Sequence, residues 1–358
     1  MKRGSEVRAT GEAGDQPATS RDKVSVIIPL FNGDAFIEQT IRCVLNQTHR
    51  NLEVIVVDDG STDGGVEIVR RLLADERVAL VLKPHAGIGA TRNVGLAWAD
   101  SSSAYVLFLD QDDKLERDLV AGLVHRLARR PDAVGGHAIA DDIDSADRAI
   151  GDGSFAGLMR SRRRLSGGRM ATAPSDTDVV WPEIFPANNL YPPSAVLLRY
   201  RDVVAVGGFD PRYAVADDWD LMLRLLRRGP FVSWDDVQVG YRRYDGNASG
   251  DHGRNVRETR AVWATTYYSA ANTRGDRALL RRWWRAHQWA TAHRKFSEAR
   301  ALLMKLQFAR AIGRAADAAA HVALLTPWRR WRLPDAAGDL ADRVAPLGRR
   351  ERGGDSTE

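Results

Sequence analysis

The sequence predicts an α/β protein with a mostly parallel sheet that helices cover on both faces. Between residues 24 and 129, four short apolar runs alternate with stretches whose apolar residues recur at helical spacing. The runs are continuously apolar, as in strands buried on both faces. Strands that alternate with helices are typical of parallel sheets with crossover helices. We therefore expect a ligand site at the carboxyl ends of the strands.

The predicted elements follow one another in a regular order. The strands are predicted at 24–30, 52–60, 78–83, 104–110 and 194–199. The amphipathic stretches predict helices at 34–47, 63–74, from the turn at 85–89 to Trp98, at 115–129 and at 217–229. Residues 141–190 are rich in Gly, Ser, Pro and Asp, so they predict long loops near the site.

Length and composition limit the class of protein. The 358 residues are 44% hydrophobic, enough for one large domain with an appendage. The single cysteine, Cys43, excludes an intrachain disulfide and a cysteine-based zinc cluster. No stretch approaches the roughly 20 apolar residues that span a bilayer, and residues 1–23 lack the apolar segment of a signal peptide. We expect a cytoplasmic protein with a disordered leader at 1–23 and a disordered tail at 346–358.

Charge and tryptophan are unevenly distributed. Residues 1–250 carry 31 Lys and Arg against 36 Asp and Glu, whereas residues 251–358 carry 21 against 11 and six of the ten tryptophans. This pattern predicts a basic helical region at 254–345. Two interpretations remain open: helices packed on the preceding domain, or peripheral contact with the inner face of an anionic membrane. Nucleic-acid binding is not expected, because no nucleic-acid motif accompanies the charge.

Three acidic clusters stand at the end of a predicted strand or the start of a predicted helix. They are Asp58-Asp59, Asp110 to Asp113, and Asp217-Asp218. Carboxylates at strand ends suit Mg²⁺, which prefers oxygen ligands and bridges to phosphate. A single such cluster equally caps a helix or fills a turn. Three clusters in order favour a binding site.

The turn HAGIG at 85–89 precedes a predicted helix. Glycines let a ligand approach the backbone, and helix N-termini attract phosphate. Arg92, one turn further on, offers a guanidinium to a diphosphate. A plain Gly-rich turn with a solvated Arg92 is the alternative.

The stretch from Val24 to about Asp251 resembles the family 2 glycosyltransferases, which have the GT-A fold. The resemblance is carried by ordered segments, which are VSVIIPLFN, VLNQTHRNLEVIVVDDGSTD, HAGIGATRNVGL, YVLFLDQDD, GGFDPRYAVADDWDLMLRL and YRRYDGNAS. It implies a GT-A catalytic domain at 24–253, which is about two-thirds of the chain.

The resemblance implies a nucleotide pocket on the first half of the sheet. Pro29 and the Phe31-Asn32 segment would form its lip, and Asp59 would read the base by a hydrogen bond. Arg92 would contact the nucleotide. The donor implied is a nucleotide sugar, with uracil as the expected base.

It also implies the chemical roles of the later acidic residues. Asp112 would bind Mg²⁺ or Mn²⁺, and Asp110 would face the ribose or the metal. Asp218 would be the catalytic base, an ionised and partly solvated carboxylate, with Asp217 before it and Trp219 as a wall of the acceptor site.

Three positions depart from the family pattern or have no fixed role in it. The family often has Asn at the position of His85 and His at that of Tyr244, so Tyr244 would replace that His only as an oxygen group. Arg243 would contact the diphosphate or lie on a solvated strand edge.

Together these features predict an inverting glycosyltransferase that glycosylates a hydroxyl of a glycan or lipid-linked acceptor in polysaccharide or cell-envelope biosynthesis. A non-catalytic nucleotide- or sugar-binding protein on the same fold is the main alternative. The presence of Asp59, Asp110, Asp112 and Asp218 together argues for activity. A receiver-like phosphoacceptor domain would need a lysine near 134–140, and none is present there.

Overall fold

The computed structural model describes residues 22–150, 163–166, 169–172, 177–244, 252–304, 308–323 and 349–352. The strands are β1 Val24–Leu30, β2 Leu52–Asp58, β3 Val78–Leu82, β4 Tyr105–Phe108, β5 Lys114–Leu115, β6 Gly135–Ile143, β7 Arg163–Ser166, β8 Arg169–Thr172, β9 Val196–Arg199, β10 Phe231–Arg242 and β11 Arg349–Arg352. The helices are α1 Ile37–Leu45, α2 Gly65–Leu72, α3 Ile88–Trp98, α4 Leu119–Ala128, α5 Tyr200–Ala205, α6 Asp217–Leu226, α7 His252–Tyr268, α8 Arg274–Met304 and α9 Phe308–Ala323.

The central sheet has the strand order β11-β3-β2-β1-β4-β9-β6-β10-β5. Strands β3, β2, β1 and β4 are parallel to their neighbours, as the apolar runs predict. The other half is mixed, because β9 runs antiparallel to both β4 and β6, and β5 runs antiparallel to β10. The prediction of an α/β sheet is confirmed, with its parallel character confined to the first half and the β6-β10 pair.

Apolar residues of β1 alternate between two cores, one on each face of the sheet. Val26 and Ile28 pack with α1 and α4 on one face. Ile27 points to the other face, where it packs with apolar residues of α6, α7 and α8. Both faces of the strand are therefore buried, which explains why its sequence is apolar except for Ser25.

Helices α7 and α8 share this second core with the sheet. Trp283 and Trp284 are buried, and the ring of Trp284 packs edge-on against Trp263 at a centroid distance of 4.1 Å. Trp263 in turn contacts Trp219 of α6. For these tryptophans the structure supports the packed interpretation of the C-terminal region. None of the described helices combines the length and apolarity needed to cross a bilayer.

Several segments differ from the sequence-based expectation. The stretch expected to form loops at 141–190 includes the end of β6 and the β7–β8 hairpin. Strand β10 was not predicted, because two exposed aspartates at its centre interrupt the apolar pattern. Within the tail expected to be disordered, β11 pairs with β3. Residues 1–21, 324–348 and 353–358 lie outside the described residues.

Candidate active site

A cleft of about 400 Å³ opens at the carboxyl ends of β1, β2 and β4. The sequence-predicted residues that line it are Pro29, Phe31, Asp59, Arg92, Asp110, Asp112, Asp217 and Asp218. The cleft therefore lies at the sheet edge that the topology rule for parallel sheets predicts. Residues from α6 and α7 close the opposite side.

Three predicted site residues are not among those lining the cleft. Trp219 is buried, and its indole Nε1 donates to the carbonyl oxygen of Ile184 at 2.8 Å. Arg243 donates from Nε to Asp142 Oδ1 at 3.0 Å. Asn32 accepts a hydrogen bond from the backbone N–H of Thr62 at 2.8 Å, so it joins the turns that follow β1 and β2. These side chains support the site from behind or beside it.

Asp59 organises the loop that follows β3. Its buried carboxylate pairs with Lys83 and accepts hydrogen bonds from the backbone N–H groups of Ala86, at 2.8 Å, and Gly87, at 2.9 Å. Burial alone would raise the pKa of Asp59, but the bonds from Lys83 and the loop amides lower it below its ordinary value. Ala86 and Gly87 belong to the turn at 85–89, which the sequence predicted to approach a phosphate. Their backbone N–H groups are instead hydrogen bonded to Asp59.

Phe31 forms an exposed aromatic lip. Its ring is 44% exposed and lies 4.6 Å, centroid to centroid, from the ring of His85. The side-chain amide of Gln111 holds the Phe31 backbone by donating to its carbonyl oxygen and accepting from its N–H, at 3.2 and 2.8 Å. An aromatic surface fixed in this way suits the flat face of a nucleobase.

Arg92 bridges two of the acidic clusters. Nη1 donates to Asp217 Oδ2 at 2.7 Å, and Nη2 donates to Asp110 Oδ1 at 2.5 Å. Burial opposes the charge of the guanidinium, but Asp217 and Asp110 raise its pKa above the ordinary value. Arg92 is therefore engaged by carboxylates, and the alternative of a solvated Arg92 is wrong.

Asp112 lies next to Asp110 in the cleft and accepts a hydrogen bond from the hydroxyl of Tyr244 at 2.8 Å. Burial and the charge of Asp110 raise the pKa of Asp112 to about 6. The carboxylates thus repel each other, a situation that a bound cation relieves.

The charge of the cleft fits a divalent cation. Its lining includes five aspartates against one arginine and one histidine, so a diphosphate would enter an acidic cleft. Within the described ranges, no group of three or more His, Cys, Asp or Glu side chains is arranged to hold a metal by itself. Mg²⁺ commonly uses one or two carboxylates together with substrate phosphates. Asp112 and Asp110 match that mode of binding.

Asp113 and Arg242 support the segment that carries Asp110 and Asp112 from the core. Asp113 accepts hydrogen bonds from Ser194 Oγ at 2.5 Å and from the backbone N–H of Arg242 at 3.2 Å. Arg242 is buried and donates from Nε to the carbonyl oxygen of Asp112 at 2.8 Å. It is therefore a structural residue and does not line the cleft.

Asp218 is more buried than the sequence suggested. A partly solvated carboxylate was expected, whereas the residue is only 5% exposed. It accepts hydrogen bonds from Asn188 Nδ2 at 3.2 Å and from the backbone N–H of Trp219 at 2.6 Å. Burial, together with the neighbouring charge of Asp217, raises the pKa of Asp218 to about 7. Such a carboxylate is suited to exchange a proton near neutral pH.

Some cleft residues escaped sequence reasoning. Tyr191 and Tyr241 line the cleft, and their hydroxyl groups are hydrogen bonded to each other. Asn255 of α7 also lines it. Tyr241 begins the segment YRRYDGNAS, from which the family resemblance assigned it no role, and Asn255 lies on a helix without a recognisable motif.

The fold is shared with glycosyltransferases of known structure. TarS from S. aureus (residues 1–349), solved with UDP-GlcNAc, superimposes with a TM-score of 0.56 at 17% identity and covers 86% of this chain and 93% of that one. The mannosyltransferase PcManGT from Pyrobaculum calidifontis, solved with GDP-Man and Mn²⁺, gives a TM-score of 0.53 at 20% identity, covering 86% and 79%. The architecture is therefore the GT-A fold, with a helical C-terminal region.

The sequence identifies the family more narrowly. Residues 25–179 match the family model described as glycosyl transferase family 2, so the chain carries a family 2 glycosyltransferase domain. GlyA, a glycosyltransferase of Streptococcus pneumoniae, is 36% identical over 107 residues, which are 30% of this chain and 15% of that protein. TuaG of Bacillus subtilis, a putative teichuronic acid biosynthesis glycosyltransferase, is 43% identical over 97 residues, which are 26% and 38%. The matches thus span well under half of these relatives.

Proposed function

We propose that the chain is an inverting glycosyltransferase that transfers a sugar from a nucleotide-sugar donor to a hydroxyl of a glycan or lipid-linked acceptor. The observation that carries this proposal is the presence of two acidic groups in one cleft. Asp110 and Asp112 supply a cation site, and the buried Asp218 supplies a carboxylate that titrates near neutral pH. Metal-assisted departure of a diphosphate and deprotonation of an acceptor need these two groups.

The donor end of the cleft would lie at Phe31 and Asp59. Phe31 and His85 offer a fixed aromatic surface for the base, and Asp59 holds the loop beside it. TarS was solved with UDP-GlcNAc and PcManGT with GDP-Man, so relatives of this fold accept different bases. We propose a UDP-sugar for this chain, as the family resemblance implies.

Asp112 and Asp110 would hold Mg²⁺ or Mn²⁺. When bound there, the ion supplies Lewis-acid neutralisation of the diphosphate leaving group. Tyr244 keeps the Asp112 carboxylate oriented through its hydroxyl, and Arg92 does the same for Asp110. Arg92, the arginine that lines the cleft, is engaged by Asp217 and Asp110, which supports the need for an added cation.

Asp218 would accept the proton of the acceptor hydroxyl as that oxygen attacks the anomeric carbon of the sugar. A single displacement inverts the configuration at that carbon and requires no covalent enzyme intermediate. Asn188 and the N–H of Trp219 fix the carboxylate oxygens by hydrogen bonds, so the base is oriented before the substrates bind.

The acceptor proposed is a glycan, free or lipid-linked, of polysaccharide or cell-envelope biosynthesis. The names of two relatives support this class, the putative teichuronic acid glycosyltransferase TuaG and the chondroitin synthase of Pasteurella multocida, which is 38% identical over 98 residues. The latter match covers 27% of this chain and 10% of that protein.

One face of α8 supports peripheral contact with an anionic membrane. Trp289 is 62% exposed and Phe296 is 48% exposed. The same face carries exposed basic side chains, which are Arg282, Arg285 and Arg300. Aromatic side chains between arginines match an anionic lipid surface in both polarity and charge.

The double variant Trp289→Ala/Phe296→Ala should lose co-sedimentation with phosphatidylglycerol vesicles. Equal sedimentation of the variant and wild type would exclude membrane contact through this face.

The first experiment is a calorimetric titration of the protein with UDP, GDP and dTDP, with and without Mn²⁺. We expect one nucleotide to bind with metal dependence, and Asp112→Ala to abolish that dependence. Asp132→Ala changes an exposed aspartate remote from the cleft and serves as the matched control. Absence of binding to all three nucleotides contradicts the proposal, whereas binding without donor turnover favours the non-catalytic alternative.

A further inference from the structure

Glu258 lies in α7, beyond the residues that match the family model, and it does not line the cleft. Its carboxylate nevertheless contacts the segment that leads to Asp218. Oε2 accepts hydrogen bonds from three consecutive backbone N–H groups, those of Ala214 at 2.9 Å, Val215 at 2.7 Å and Ala216 at 3.1 Å. Three consecutive donors on one oxygen fix the backbone at this point.

The local sequence cannot provide this anchor. Helix α6 begins at Asp217, and Ala216 occupies its N-cap without a side-chain cap hydrogen bond. Caps are normally Ser, Thr, Asp or Asn, whose oxygens satisfy free N–H groups at the helix start. Glu258 brings a carboxylate to the same place from another helix, where the helix dipole also favours negative charge.

The carboxylate is itself held in position. Glu258 is 9% exposed, and its Oε1 accepts a hydrogen bond from Arg254 Nε at 2.9 Å, one turn earlier on α7. Burial works against its charge, but the hydrogen bonds from Val215 and Arg254 lower the pKa of Glu258 below its ordinary value. The group therefore stays ionised across the neutral range.

The anchored segment belongs to the cleft. Ala214 and Val215 line it, and Asp217 and Asp218 follow directly in the chain. From these contacts we propose that Glu258 is a positioning residue that sets the placement of the Asp218 carboxylate. Helix α7 thereby contributes to the geometry of the active site. The role of Asp218 in this inference rests on the proposed function; the anchoring of the segment does not.

Glu258→Ala and Glu258→Gln test the inference by steady-state kinetics. Misplacing a catalytic group by about 1 Å costs on the order of 100-fold in rate, so we expect kcat to fall roughly 10- to 100-fold in Glu258→Ala. Glu258→Gln keeps one accepting oxygen and should lose less. Nucleotide affinity should stay within about twofold, because the donor end of the cleft is unchanged. A purely structural role would instead lower the apparent kcat and the calorimetric binding stoichiometry together, through loss of folded protein.

Asp276→Asn is the matched control. Asp276 Oδ2 accepts hydrogen bonds from the N–H and Oγ1 of Thr273 at the start of α8, at 2.9 and 2.7 Å, away from the cleft. This variant weakens a helix cap without touching the segment before Asp218. It should keep the wild-type kcat.

Amide hydrogen exchange separates this inference from the proposed function. In wild type the N–H groups of residues 214–216 should exchange slowly, and in Glu258→Gln their exchange should accelerate while Asp276→Asn leaves it unchanged. Unchanged exchange, or a folded Glu258→Gln and Glu258→Ala pair with wild-type kcat, overturns the inference. If wild type transfers no sugar but amide exchange at 214–216 accelerates in Glu258→Gln, the proposed function is wrong and the anchoring by Glu258 is confirmed. If Glu258→Ala does not fold, the kcat and the amide exchange of Glu258→Gln test the inference.

Discussion

Arg92 Nη1 donates to Asp217 Oδ2 at 2.7 Å, although the two residues are 125 positions apart in the chain. The same guanidinium reaches Asp110, so one side chain joins the carboxyl end of β4 to the start of α6. Both elements carry residues proposed for catalysis. The relative position of the segment proposed to bind the metal and the segment proposed to carry the base therefore depends on Arg92.

Arg92→Lys should disrupt this connection although it keeps the positive charge. An ammonium group is a point charge and cannot copy the two directed donors of a guanidinium. Leaving a buried carboxylate unpaired costs about 3–5 kcal/mol, so thermal unfolding should begin at a clearly lower temperature. Arg227→Lys, which changes an arginine outside the cleft, is the control. Equal melting temperatures for Arg92→Lys and wild type would contradict the bridging role.

Lys83→Met should weaken nucleotide binding without touching the nucleotide. The lysine pairs with Asp59 in a buried site, and Asp59 in turn holds the amides of Ala86 and Gly87. Without Lys83 the pKa of Asp59 rises, and the loop next to Phe31 loses its anchor. We expect a roughly tenfold or greater loss of affinity by calorimetry, because one lost charge-assisted hydrogen bond is worth about 1.5–3 kcal/mol.

The control for that variant is Lys23→Met. Lys23 also pairs with carboxylates, Asp100 and Glu53, but it is more exposed and lies away from the cleft. The affinity of the Lys23→Met variant for nucleotide should equal that of wild type. A matching loss in both variants would mean that the effect of Lys83 is not specific to the loop.

The parallel half of the sheet could be predicted from the sequence, because burial on both faces produces strands that are almost entirely apolar. Val24–Leu30 and Leu52–Asp58 carry that signal apart from Ser25, Glu53 and the terminal Asp58. Strand Phe231–Arg242 could not be predicted in this way, since its central residues Asp235 and Asp236 are exposed. Its place in the sheet depends on pairing with β6, which is a tertiary contact.

The candidate site, like the sheet, could be predicted from the sequence only in part. The acidic clusters at strand ends were visible as motifs, and eight of the predicted residues line the cleft. The direction of each side chain was not visible, because it is set by partners distant in sequence. Arg92 points to Asp110 and Asp217 rather than to solvent, and Trp219 points into the core. Glu258 had no signal at all, since its partners are backbone amides.

Asp218→Asn should abolish transfer and leave metal-dependent nucleotide binding in place. General-base catalysis contributes about 10²–10⁴-fold, so kcat should fall within or beyond that range while the calorimetric affinity stays near wild type. The control is Asp220→Asn on the same helix. It removes an acidic group that is paired with Arg224 and does not line the cleft. Joint loss of binding and turnover in Asp218→Asn would place Asp218 in the nucleotide pocket.

The pH dependence of kcat/KM should report the ionisation of Asp218. Burial and Asp217 raise the pKa of Asp218 to about 7, and a base acts only when ionised. Activity should therefore be highest above pH 7 and fall about tenfold per pH unit below it.

Asn188→Ala should move this acid limb to higher pH. Asn188 Nδ2 donates to Asp218 Oδ2 at 3.2 Å, and a hydrogen bond to a carboxylate favours its ionised form. Removing the donor raises the pKa of Asp218, so half-maximal kcat/KM should occur at a higher pH than in wild type. A profile of kcat/KM from pH 5 to 9 for both proteins measures the shift. If the acid limb stays in place, the group that titrates near pH 7 is not Asp218.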